Sequence, residues 1–299
     1  MAPGGYAWWY VDALSADGQY GLTVIAFIGS VFSPYYAWAG RRDPLNHCAV
    51  NVALYGPAGN RWAMTERGRG ALRRDVSHLT IGPSSLAWDG ECLTLQIEEA
   101  TAPIPSRLRG TIRLRPRALS GWTFALDAPR RHLWRPIAPR ADVEVTLDRP
   151  TLSWRGEGYF DTNRGEEPLE EAFRDWTWSR GHTDKETLLF YDLTRRAGDS
   201  MGLALRVGPG GEIDAVEAPP LSPLPSTFWR VARPVRADGG EPPRLLRTLE
   251  DAPFYSRSDV AARQNGQMAR IIHESLDLTR LASPVVKAML PFRMPRKFW

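Results

Sequence analysis

The stretch Arg107–Pro116, RLRGTIRLRP, sets Leu108, Ile112 and Leu114 apart with Arg109, Thr111, Arg113 and Arg115. Successive side chains of an extended strand point to opposite faces, so this spacing buries one side and wets the other. Clean alternation belongs to antiparallel sheet, whereas the strands of a doubly wound parallel sheet read as continuous apolar runs. The same period recurs between Gly, Pro, Asn and Asp punctuation in HCAVNVALYG, RWAMTERG, CLTLQIEEA, WTFALDA, ADVEVTLDRP, TLSWRGEGYF, WTWSR, ETLLFYDLT, MGLALRVG and EIDAVEA. These stretches predict an all-β chain of many antiparallel strands.

Around this pattern, 299 residues leave room for about two domains at roughly 150 residues each. Hydrophobic residues at 43% and charged residues at 24% exclude a disordered chain and a multi-span membrane protein. Twelve Trp point to heavy burial or to surfaces made for apolar ligands and membrane interfaces. Cys48 and Cys92 fit no zinc or redox spacing and read as buried thiols. The formal charge of +4 rests almost wholly on Arg, with Lys only at positions 185, 287 and 297. A modest excess of that kind allows anionic surfaces, but no nucleic-acid-binding pattern accompanies it. No G-x-G-x-x-G or G-x-x-x-x-G-K-[ST] is present, so no nucleotide cofactor is expected, and the five His make no close metal pair.

The N-terminus shows no basic region ahead of an apolar run, and a cytoplasmic-side location is expected. Gly21 to Gly40 carries no charge, yet its dense apolar run stops at Phe32 before Ser33-Pro34. That predicts a buried strand feeding an aromatic loop in place of a membrane span. Composition shifts near Asp127 and across Pro219 to Pro225 suggest modules at 1–128 and 129–258. Val260, Met268, Ile271, Ile272, Ser275, Leu276 and Thr279 fall at three- and four-residue spacings. They predict a helix from about Asp259 to Ala282, within a C-terminal helix and tail at 259–299. In the tail, Val285, Met289, Phe292, Phe298 and Trp299 interleave with Lys287, Arg293, Arg296 and Lys297. Such a segment suits either a membrane surface or packing on its own domain.

The densest polar and aromatic constellation is HLWRPIAP, His132 to Pro139, followed by Gly158 to Gly181. On a strand ending near Tyr159, Tyr159 and Asp161 share a side while Phe160 points away. Asp161 reads either as a turn residue or as a general acid kept protonated by an apolar surrounding. His132 reads as a hydrogen-bonded structural residue or a catalyst, and Trp134 and Tyr159 as packing residues or as faces for a cation. Glu166, Glu167, Glu170 and Glu171 read as a solvated acidic face, and a glycosidase pair with Asp161 has no spacing to fix it.

Several long stretches in order, GGYAWWYVDALSADGQYGLTVIAFIGSVFSPYY, NHCAVNVALYG, RWAMTERG, HLWRPIAPRA and GYFDTNRGEEPLE, make the chain resemble the carotenoid 1,2-hydratases, or hydroxyneurosporene synthases, of pigment-making bacteria. The resemblance runs from about Gly5 to at least Gly181. It implies a pair of lipocalin-like β-barrel modules and cofactor-free, metal-free addition of water across the terminal C1=C2 bond of acyclic carotenoids such as neurosporene and lycopene.

It further implies a site of His132 with Trp134 and Tyr159 with Asp161. Asp161 would protonate C2, Trp134 and Tyr159 would face the tertiary cation at C1, and His132 would bond Asp161 or position water. The expected partners are the carotenoid, water and, peripherally, membrane lipid. The rival readings are a related polyene cyclase or isomerase, and a carotenoid or lipid carrier using the same apolar surface. Trp8, Trp9, Trp38 and the segment from Gly21 to Tyr36 are candidates to line a long apolar channel.

Overall fold

The computed structural model describes residues 1–297, so Phe298 and Trp299, two aromatics of the expected tail, lie outside the described residues. The chain forms two compact units, one of Met1–Pro168 with the residues from Ala288 on, the other of Leu169–Lys287.

The first unit is built on β1 (Tyr6–Ser15), β2 (Gly21–Ile28), β3 (Cys48–Tyr55), β4 (Arg61–Arg67), β5 (Leu72–Arg74), β6 (His78–Ile81), β7 (Ser84–Trp88), β8 (Leu93–Ala100), β9 (Arg107–Pro116), β10 (Phe124–Ala125), β11 (His132–Arg149) and β12 (Thr151–Gly165). Between β2 and β3 lies the short helix α1 (Pro34–Trp38), whose first turn is closed by Ser33 Oγ accepting from the Tyr36 N–H at 3.0 Å. The sheet runs β4-β3-β2-β1-β12-β11-β9-β8-β7-β6-β5, with β10 added on β11, and every one of these pairs is antiparallel. The stretch RLRGTIRLRP is β9, with Leu108, Ile112 and Leu114 in the core as its alternation predicts.

The second unit holds α2 (Leu169–Ala172), β13 (Phe173–His182), β14 (Thr187–Arg195), β15 (Ser200–Val207), β16 (Ile213–Ala215), β17 (Leu221–Ser222), β18 (Val235–Arg236), β19 (Arg244–Ala252), β20 (Tyr255–Gln264), β21 (Gln267–Asp277) and α3 (Leu278–Ala282). Its main sheet runs β16-β15-β14-β13-β21-β20-β19, beside a small ribbon of β17 and β18. The chain then passes through α4 (Pro284–Met289) to β22 (Arg296–Lys297), which lies parallel on β4.

The antiparallel all-β character expected from the alternation is present, but the two closed lipocalin-like barrel modules are not. Among the described residues both main sheets are open, because the end strands of each have no pairing with one another. Closure requires the last strand to meet the first with a matched stagger. In the first unit one edge is instead the three-residue β5 with exposed Arg73 and Arg74, and at the other β22 pairs with Glu66 and Arg67 at the end of β4. A short charged edge such as β5 resists pairing with another chain.

The expected helix from Asp259 to Ala282 is also corrected. Residues 255–277 form the hairpin of β20 and β21, turned at Asn265-Gly266 with φ of 51° and 74°. Asn-Gly is the residue pair that tolerates the positive φ of a tight hairpin turn. Helix begins only at Leu278, capped by Asp277, whose Oδ1 accepts from the Arg280 N–H at 2.9 Å. The composition shift at Asp127 does not separate the units either, because β11 and β12 complete the sheet that β1 and β9 begin. The division falls after Pro168.

Both faces of the first sheet are buried around β1. One carries the aliphatic core, with Val11, Ala13, Leu22, Val24, Val50, Ala63, Leu95, Ile112, Val143 and Phe160. Residues from β3 and β4 share this cluster with residues from β6 to β8, so the sheet folds back over its own apolar face. The opposite face carries Tyr6, Trp8, Tyr10 and Asp12, all buried. Alternation alone accounts for the separation, since residues two apart on a strand share a side.

Candidate active site

Strands β1, β12 and β11 lie side by side, and their register brings the candidate residues onto the face opposite the aliphatic core. Tyr10 pairs with Asp161, Trp8 with Asn163, and Tyr6 with Gly165 on one side of β12. On the other side Pro136 pairs with Asp161, Trp134 with Asn163, and His132 with Gly165. Tyr159, Asp161 and Asn163 thus form the central row between two rows of mostly aromatic side chains. Phe160 points into the opposite core, as the alternation predicts.

Asp161 is 4% exposed, and Trp134 and Tyr159 are fully buried. Trp134 Nε1–H donates to Asp161 Oδ2 at 2.8 Å, and Tyr159 Oη–H donates to the same oxygen at 2.8 Å. Two donors on one sp² oxygen occupy both of its lone-pair directions. When the carboxyl is protonated, Oδ2 is therefore the carbonyl oxygen and Oδ1 carries the hydrogen. Trp134 reaches the acid with its N–H, while its ring lies 5.6 Å from that of Phe124, centroid to centroid. The ring of Tyr159 meets Tyr10 edge-on at 6.1 Å.

His132 is fully buried with both ring nitrogens engaged. Nδ1 lies 2.8 Å from Tyr6 Oη, and Nε2 lies 3.3 Å from Glu167 Oε1. Burial pushes the imidazole below its ordinary pKa, against the opposing pull of Glu167 and Asp127. Glu167 is ion-paired with Arg131 at 2.7 Å and accepts, so the network assigns the hydrogen to Nε2 and makes Tyr6 the donor to Nδ1. A neutral imidazole in this place orients its neighbours and carries no charge.

The expected channel residues do not share one surface. Trp8 faces the site row, Trp9 packs against the aliphatic core, and Trp38 is 58% exposed. Nor is the acidic run a uniform solvated face, since Glu167 holds His132 and Glu170 is buried and paired with Lys287 at 3.4 Å. Among the described residues no three His, Cys, Asp or Glu side chains are grouped to hold a metal ion.

The model of the family described as carotenoid hydratase CrtC matches residues 24–299. The chain belongs to the carotenoid hydratase family. Its relatives in that family include the acyclic carotenoid 1,2-hydratase of Thiocapsa roseopersicina, 57% identical over 99% of this chain and 74% of the relative. That of Rubrivivax gelatinosus is 49% identical over 99% and 75%, and that of Rhodobacter capsulatus 44% identical over 92% and 98%. Among solved structures, an AttH-type protein of Nitrosomonas europaea aligns with a TM-score of 0.61 at 16% identity, over 91% of this chain and 92% of that one. Kievitone hydratase from Nectria haematococca aligns at 0.56 with 9% identity, over 92% and 89%. These two likenesses are of fold alone.

For a carotenoid hydratase sequence, the residues that motif spacing did not single out are Tyr6, Tyr10, Asp12, Asn163 and Glu167. Four of the five had a usable signal. Tyr6, Tyr10 and Asp12 share parity in YAWWYVDALS, and Asn163 shares it with Asp161, so pairing of the two strands puts all four on one face. Glu167 follows β12 and had no such signal.

Proposed function

We propose that the protein hydrates the terminal C1=C2 double bond of an acyclic carotenoid, with Asp161 as the general acid. The observation that carries this reading is the convergence of Trp134 Nε1–H and Tyr159 Oη–H on one oxygen of a buried aspartate. An alkene is a weak base, so the acid must meet it protonated and away from bulk water. Aromatic rows on both sides of Asp161 supply an apolar setting, and the donors to Oδ2 aim Oδ1 as the proton-bearing atom.

In the first step the Oδ1–H proton passes to C2, the π pair forms the new C–H bond, and a tertiary cation is left at C1. Water then gives an electron pair to C1, and its surplus proton returns to the Asp161 carboxylate. Through both steps Trp134 and Tyr159 stabilise the developing carboxylate with hydrogen bonds that shorten as charge appears, which favours the transition state over the ground state. The nearby rings add quadrupole attraction for the cation. His132, held neutral between Tyr6 and Glu167, is a positioning residue for the row beside the acid.

Contact with membrane lipid from the cytoplasmic side belongs to the same reading. No described helix is long and apolar enough to cross a membrane. Exposed Val285 and Phe292 would supply the apolar contact, since Lys287, Arg293 and Arg296 are engaged by Glu170, by the Trp62 ring at 4.5 Å, and by Glu66.

The test is Asp161→Asn with supplied lycopene or neurosporene and product analysis for the tertiary alcohol. Loss of the alcohol with retained carotenoid binding is expected. Hydration at the unaltered rate would sink the reading.

A further inference from the structure

Trp122 is 57% exposed, an unusual place for a large apolar ring, and the backbone around it is firmly held. Arg117 N–H donates to Arg140 O at 3.0 Å, Ser120 N–H to Ile137 O at 2.8 Å, and Leu126 N–H to His132 O at 2.8 Å. Within the segment, Trp122 N–H donates to Ser120 Oγ at 3.2 Å, and Phe124 and Ala125 pair with Trp134 and Leu133 as β10 on β11. The backbone that carries the exposed indole is thus held along the strand that carries Trp134.

From it a run of rings leads inward. Trp122 stacks with Phe124 at 6.5 Å and 20°, Phe124 lies 5.6 Å from Trp134, and Trp134 bonds Asp161. Exposure falls along the run, from Trp122 through half-buried Phe124 to fully buried Trp134. An extended polyene running in along β10 would pass these rings in succession before its end reaches the acid. Apolar, polarisable faces of this kind take a conjugated hydrocarbon with no hydrogen-bonding demand.

We infer that Trp122 and Phe124 form the entry wall for the substrate, seating the part of the polyene behind its reacting end while that end reaches Asp161. This rests on the hydratase reading and adds to it residues that act on capture of the chain. Removing such a contact weakens binding and leaves the chemical step alone.

The experiment uses the full chain with lycopene in phosphatidylcholine vesicles. Trp122→Ala is expected to raise the half-saturating carotenoid concentration about 5- to 10-fold with kcat within about twofold, and Trp122→Phe to restore it. In an Asp161→Asn background, the midpoint of tryptophan quenching by lycopene should shift by the same factor on adding Trp122→Ala. An unchanged half-saturation and midpoint, a fall in kcat alone, or no restoration by Phe overturns the entry wall. Unaltered turnover by Asp161→Asn strikes Asp161 as the acid instead, and the quenching midpoint still judges the wall.

Discussion

Tyr6 and His132 hydrogen-bond to each other across Gly165, a residue of the strand that runs between theirs. Gly165 pairs with both, and a Cβ there would overlap the Tyr6 ring and crowd His132 Nδ1. The missing side chain lets two rings on non-adjacent strands meet over the middle one, stacked at 5.8 Å between centroids. Gly165→Ala should therefore separate them, at a cost of about 1–3 kcal/mol for the overpacking. The expected outcome is a melting temperature lowered by several degrees and a weakened hydration rate, read by thermal unfolding and product formation. A variant with both quantities intact would show that the bridge is dispensable.

The two donors to Asp161 Oδ2 make a separate prediction. Tyr159→Phe deletes one hydroxyl and leaves the ring in contact with Tyr10, and Trp134→Phe deletes one N–H together with part of a ring. Each should lower kcat by about 10- to 100-fold, the range of a hydrogen bond to a group that becomes charged. Because both act on one oxygen, the double variant should lose less than the product of the single losses. Steady-state kinetics of the three variants checks this, and strict multiplicativity would mean that the two donors work independently.

How much of this could be read from the chain depends on which interactions are periodic. Alternation in RLRGTIRLRP predicts β9 and its buried face correctly, and parity places Tyr159 and Asp161 on one side with Phe160 on the other. Parity has no bearing on whether a sheet closes, which depends on what the first and last strands meet; hence the barrels expected from the family resemblance are open sheets. The helix expected at Asp259 to Ala282 failed because apolar residues at Val260, Ile271 and Ile272 satisfy a helical period by accident, while Asn265-Gly266 between them is the stronger local signal. The N–H that Trp134 gives to the acid follows from strand register and rotamer, which alternation in the sequence does not reveal.

At the C-terminus, Arg296 fastens the last strand to the first unit. It donates to Glu66 and to the Asn46 carbonyl, the latter at 3.0 Å, and Glu66 also lies 2.7 Å from His47 Nδ1. Glu66 is 1% exposed, so its carboxyl group meets these partners and not bulk water. Breaking a buried pair from one side leaves an uncompensated charge at a cost of about 3–5 kcal/mol. Arg296→Ala should lower the unfolding free energy by about that amount, and Arg296→Ala with Glu66→Gln should recover part of it. Urea unfolding of the single and double variants is the measurement.

Acid sensitivity of the second unit should trace to His273. The side chain is 1% exposed, its Nε2 lies 3.1 Å from Ser275 Oγ, and burial, assisted by the nearby Arg233 charge, lowers its pKa to about 3. The unfolded chain takes up a proton at this residue near its ordinary value of 6.5, whereas the folded chain does not do so until about 3. Between those values the unfolded state binds more protons, so stability falls as pH falls, and above the upper value the residue adds no pH dependence. At about 1.4 kcal/mol per pH unit, the loss between pH 6.5 and 4 is a few kcal/mol at most. Carboxylates titrate over part of the same range, so the readout is the difference between the parent chain and His273→Gln across pH 4 to 7. The parent should lose melting temperature more steeply toward acid than the variant, and parallel curves would mean that His273 titrates alike folded and unfolded.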